Sequence, residues 1–183
     1  MGLTLIKSLT AAGDSELEFI DGTDDVVMDN TYNEYQFYFV NMHPASSSDF
    51  SFQVNASGGA DFDETITSTF IRTWHRETGD TTGFDYGTGD DQAQGIAYQN
   101  IYDRVFGEAA DSSVSGILTL YDPSSTTYVK HFVSVLNAMH STDYTMENLA
   151  AGYINTTSAI DEISFKFSGG NIDDGTIYMY GVS

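Results

Sequence analysis

The stretch Ile163-Ser164-Phe165-Lys166-Phe167 puts apolar side chains at odd positions and polar ones at even positions. In an extended chain successive side chains point to opposite faces, so this segment reads as a strand with one buried and one wet face. Phe50-Ser51-Phe52-Gln53-Val54-Asn55 repeats the pattern, and Leu17 and Phe19 alternate with Glu16 and Glu18. Half-buried strands of this kind belong to antiparallel sheets packed on one side.

Working outward, a second class of segment is apolar on both faces: residues 35–42 (YQFYFVNM), 114–121 (VSGILTLY), 128–136 (YVKHFVSVL) and 176–182 (TIYMYGV). Such strands sit at the centre of a sheet or are covered by a neighbouring subunit. Between the runs stand turn signals, among them Asp21-Gly22, Ser57-Gly58-Gly59, Gly87-Thr88-Gly89, Asp122-Pro123, Gly169-Gly170-Asn171 and Asp174-Gly175. About ten short strands fit between these breaks, the pattern of a sandwich or jelly roll. Residues 65–76 read as a strand because Thr and Ile are frequent there, and residues 90–94 as a single helical turn. With no linker, repeat or heptad, the expectation is an all-β, antiparallel β-sandwich or jelly-roll-like single domain over residues 1–183.

Composition agrees. Aromatic residues make up 14% of the chain, with 12 Tyr and 12 Phe, and they favour strands. A chain of 183 residues buries enough surface to hold a core without staples. Cysteine is absent, which excludes disulfides, thiolate metal sites and a cysteine nucleophile. The 27 acids against 6 bases give a formal charge of −21. Such a surface repels phosphate backbones and anionic membranes, so neither nucleic acid nor membrane is expected as a partner. Residues 1–9 are too short and too polar for a signal sequence and read as a first strand.

The candidates for chemistry are sparse. His43, His75, His131 and His140 show no i, i+2 or i+4 pairing that would place two imidazoles on one metal. No Gly-x-Ser-x-Gly elbow supports a nucleophile, and Gly87-Thr88-Gly89 lacks the Gly-Lys-Ser/Thr of a phosphate loop. No catalytic residue is assigned, and the chain reads as a non-enzyme. Carboxylate pairs such as Asp90/Asp91 and Asp173/Asp174 read as solvated turns. Asp61, Asp63 and Glu64 are the best local candidates for calcium, which favours hard oxygen ligands, although the EF-hand pattern is missing. No other cofactor is indicated. Arg72 and Arg76 flank the sole tryptophan, Trp74, and Tyr178 and Tyr180 alternate along the last strand. Trp, Tyr and Arg are enriched where surfaces bind, so these five are the interface or ligand-contact candidates, set against ordinary strand packing. Asn55 and Asn155 begin sequons and read as turn residues.

Residues 124–145 (SSTTYVKHFVSVLNAMHSTDYT) and 151–182 (AGYINTTSAIDEISFKFSGGNIDDGTIYMYGV), with 39–59 (FVNMHPASSSDFSFQVNASGG), resemble segments of small virion-associated β-sandwich proteins of tailed bacteriophages, marine ones especially. The ending Gly175-Thr-Ile-x-x-Tyr-Gly181 carries part of that likeness. The resemblance implies a virion location and a non-enzymatic structural role, as a capsid decoration or knob subunit on the particle exterior. It also implies association with itself, a trimer being the working expectation, and with other virion proteins such as the major capsid protein. The alternative is a receptor-binding module at a tail or fibre tip that recognises a host surface glycan.

Overall fold

The computed structural model describes residues 2–107, 109–140 and 142–183. The alternating stretch lies in β12 (Ile160–Phe167), and Phe165 is the hub of the core. Its ring meets those of Phe19, Phe37, Phe39, Phe50 and Phe52, drawn from three further strands, at centroid separations of 5.2–6.5 Å. Edge-to-face and offset pairs of this kind add about 0.5–1.5 kcal/mol each to the burial of their area.

Two antiparallel sheets bring these rings together. The smaller has the order β2 (Leu17–Ile20), β12, β4 (Ser48–Ala56), β8 (Gln99–Val105). The larger runs β1 (Leu3–Thr10), β13 (Ile172–Val182), β3 (Glu34–Pro44), β9 (Val114–Tyr121), β10 (Lys130–His140), β11 (Tyr144–Ile154), β5 (Ile66–Arg76), β6 (Thr82–Tyr86). The short β7 (Ala93–Gly95) pairs with the start of β5. From β2 onward the chain passes repeatedly from one sheet to the other, with β5–β7 and the β9–β10–β11 meander staying in the larger one. This is jelly-roll-like winding, widened by that meander and by β13 and β1 at one edge. The expected β-sandwich in a single domain is therefore present.

The strands read as apolar on both faces, β3, β9, β10 and β13, all lie inside the larger sheet, where each has neighbours on both sides. Among the described residues thirteen strands form, more than the ten or so expected. The additions include β6, β7 and β11. In β11 the inward positions are Met146, Asn148, Ala150 and Gly152, too mixed in polarity to show a period of two. The expected helical turn at 90–94 is shifted. The amides of Asp90 and Asp91 donate to the Gly87 carbonyl at 3.1 and 3.2 Å, and the chain then enters β7. In β10 the interior residue is Lys130, not His131, which is exposed. Lys130 Nζ donates to the carbonyls of Thr156 and Ser158. Burial lowers its pKa, opposed by Asp122 and Glu64. Asn55 ends a strand rather than lying in a turn, and its buried amide donates to Glu162 at 3.0 Å.

The larger sheet outreaches the smaller. Phe70 of β5 is fully buried beneath the smaller sheet, whereas Arg72, Trp74 and Arg76, on the same face, lie successively nearer its uncovered end. Among the described residues no further sheet or helix lies over the outer face of the larger sheet.

Candidate functional site

Two uncovered regions of the larger sheet stand out. The first is its outer face. Strand register places Tyr178, Tyr38, Ile117, Val135, Leu149, Ile71 and Tyr86 as successive cross-strand neighbours, an apolar row across seven strands. Tyr180, Val133 and Ala151 lie in the adjoining row on one side, and Phe84 on the other. Tyr38 and Tyr180 pack edge to face at 5.3 Å. Phe84 is 69% exposed, and Val40, Tyr86 and Val133 are exposed as well. Of the acids in this chain, the paired outer-face positions of β3, β9, β10, β11, β5 and β6 hold Glu34 and Glu147 alone.

The second region is a cleft under the overhang. Three cross-strand rows build it: Arg72 beside Asn148, Trp74 beside Met146, and Arg76 beside Tyr144, which in turn faces His140. Strand β8 closes one side with Asp103 and Arg104. The result is a cavity of about 430 Å³ lined by Arg72, Trp74, Asp85, Asp103, Arg104, His140 and Met146. A second hollow of about 160 Å³ adjoins it between Trp74, His140, Tyr144 and Met146.

The polar wall is fixed in place. Arg72 donates to Asp85 at 2.7 Å and to Asp103, and lies 3.5 Å from Asp90. Burial opposes the charge of Arg72, but the bonds with Asp85 and Asp103 outweigh it and its pKa is raised. Asn148, with its amide oriented to satisfy both neighbours, accepts from the Asp103 amide at 2.7 Å and donates to the Glu147 carbonyl. Asp90 is well covered, its side chain 12% exposed, so the reading of Asp90/Asp91 as a solvated turn does not hold for Asp90. Burial raises its pKa, opposed by the hydrogen bond from Asn100.

The aromatic wall is equally constrained. Trp74 leans over Gly83 of β6, where a Cβ would come within 2.0 Å of the indole, so only glycine leaves the ring its place. The Arg76 guanidinium stacks 4.6 Å from the Tyr144 ring centre. His140 packs edge-on against Phe106 at 4.4 Å, and its pKa is lowered by burial, against the pull of Asp103.

The sequence candidates thus divide between two places. Arg72 and Trp74 line the cleft and Arg76 stands at its edge on Tyr144, while Tyr178 and Tyr180 lie on the outer face. Asp61, Asp63 and Glu64 stay in the β4–β5 loop, and among the described residues no three His, Asp or Glu side chains group as a metal set would. His43 bonds the Ser112 carbonyl at 2.6 Å, away from the cleft. Sequence reasoning missed Asp85, Asp103, Arg104, His140, Tyr144 and Met146 as cleft residues. They come from four separate segments, and no local spacing links them. A scan against protein-family models, a search of curated proteins and a search of solved structures each gave no match for this chain.

Proposed function

We propose that the chain is a non-enzymatic structural subunit, carried on the exterior of a tailed-phage particle as a decoration or knob protein, that packs against copies of itself through the outer face of its larger sheet. The observation that carries the reading is the seven-strand apolar row, from Tyr178 to Tyr86, on a face almost free of acids. Two copies each carrying a formal charge of −21 repel one another wherever their acids meet. The outer face is where that repulsion is weakest and the apolar gain largest. At about 4.8 Å between strands and about 3.3 Å per residue, the face covers on the order of 1,000 Å². A standard interface needs about 800 Å² from each partner.

A flat face packed on its own copy is isologous, which favours a two-fold pair over the three-fold assembly implied by the resemblance. The virion setting is supported by the likeness of residues 124–145 and 151–182 to phage virion proteins.

Two measurements test the reading. Sedimentation equilibrium is expected to give a multiple of the 20.0 kDa chain mass. A monomer at all concentrations overturns the self-association. Quantitative mass spectrometry of purified particles is expected to find the chain in fixed proportion to the major capsid protein. Its absence from the particles overturns the virion role.

A further inference from the structure

The cleft under the overhang shares no residue with the outer face, and its geometry calls for a separate explanation. Trp74 and Tyr144 offer aromatic surface, and Asp85, Asp103 and Arg104 offer polar groups at the same opening. The main cavity, about 430 Å³, falls within the range of small-molecule sites. All three arginines of this acid-rich chain, Arg72, Arg76 and Arg104, gather around it.

The charges restrict what fits. The main cavity's lining is balanced, Asp85 and Asp103 against Arg72 and Arg104, while the chain as a whole repels an anionic ligand. A cationic ligand meets the two guanidiniums of the same lining. Arg76 already occupies a face of Tyr144, and Arg72 and Arg104 line the rest. What remains is a neutral molecule with one apolar face and groups that both donate and accept hydrogen bonds. A hydroxyl does both, accepting from a guanidinium and donating to a carboxylate. The axial C–H face of a pyranose ring, slightly positive, complements the negative face of an indole.

We propose that this cleft binds an uncharged pyranose residue of a glycan, stacked on Trp74, with its hydroxyls held by Asp103, Arg104 and Asp85. Arg72 is a positioning residue: it bonds both Asp85 and Asp103 and so fixes where their carboxylates stand. Asn148 fixes Asp103 from behind, so the polar wall is ready before a ligand arrives and little ordering is needed on binding. Stacking on an aromatic face tolerates many sugars, so the cleft defines a class of ligand rather than one hexose.

Trp74 is the sole tryptophan, so the chain's tryptophan fluorescence reports on the cleft directly. The test titrates the intact protein with methyl glycosides of glucose, galactose, mannose and N-acetylglucosamine, with glucuronate and choline as charged controls. Saturation-transfer NMR and tryptophan emission are read together. The expected result is transfer to the ring protons of at least one neutral glycoside, with an emission change that saturates at a Kd of about 1 mM. Both controls stay silent. Trp74→Leu weakens binding by about tenfold or more. Arg104→Gly does the same, and glycine keeps the backbone φ of 55° at that exposed position, so its folding is unaffected. No transfer from any neutral glycoside overturns the proposal. So does binding that both variants leave unchanged, or tighter binding of either charged control.

Discussion

The outer face of the larger sheet and the cleft beneath its overhang are both surfaces that the smaller sheet leaves bare. They are made from the same strands: β5 presents Ile71 to one and Arg72 to the other. One carries an apolar row across seven strands and is nearly free of acids. The other is concave, lined by Arg72 and Arg104 among carboxylates, with Arg76 at its edge on Tyr144. In a chain with 27 acids and 6 bases, both arrangements depart from an even spread of charge. The difference teaches how a charged protein makes room for partners. Clearing charge from a flat face permits contact with a like-charged copy. Balancing charge inside a hollow permits hydrogen bonding to a neutral molecule.

The sharpest control on this contrast is the face that is covered. Phe165→Ala removes the ring around which five others pack and is expected to destabilise the fold by about 3–5 kcal/mol in urea unfolding. The cleft comes next. Arg72→Met leaves Asp85, Asp90 and Asp103 without their shared cation, at a cost of about 1–3 kcal/mol measured the same way. The outer face is predicted to differ in kind. Val135→Lys, in the middle of the apolar row, is expected to change monomer stability by less than about 1 kcal/mol, because its long stem lies along the sheet with its charge in water. The same substitution is expected to abolish self-association in sedimentation. If it instead unfolds the chain and leaves assembly of the remainder intact, the contrast between the two faces fails.

The smallest effect concerns pH. Glu18 keeps its proton above the usual range because it is partly buried and lies near Glu16 and Glu162. Asp90 does so because of its burial. A carboxyl whose folded pKa exceeds its unfolded value takes up a proton on folding, so its contribution falls as pH rises through the interval between the two. The melting temperature is therefore expected to rise as pH drops from about 7 towards the upper carboxylate range. Glu18→Gln should flatten that rise. At lower pH the trend reverses, because Asp29 and Asp80, held low by hydrogen bonds from Thr31 and Thr78, lose their stabilising charge.

Legibility in the sequence followed the range of the interactions. The alternation in β4 and β12 could be read because one side of each packs in the apolar core, but the other side is not the wet face expected: Ser51, Gln53, Asn55 and Ser164 are buried as well, Gln53 donating to the carbonyls of Glu64, Ile96 and Ala97. The central strands β3, β9, β10 and β13 could be read because both of their faces are apolar, and the outer apolar surface was already implied by that fact. Strand β11 could not, since its inward side chains fit the space left by β8 and β10 rather than following a pattern of their own. Asp90 looked like any acid in a glycine-rich turn, and what covers it lies on β5 and β8.

The sequence by itself determined the all-β class, the central strands and the presence of a strand segment with arginines around the sole tryptophan. These follow from local periodicity and composition, which act between residues near in the chain. Only the tertiary structure decided that β5 would outrun the smaller sheet and that Arg72 would meet Asp85, Asp90 and Asp103. It likewise decided that Trp74 would find a glycine on the strand beside it and a histidine from β10 across the hollow. Those meetings depend on strand order, register and the relative lengths of two packed sheets, and these are set by the packing of the whole core.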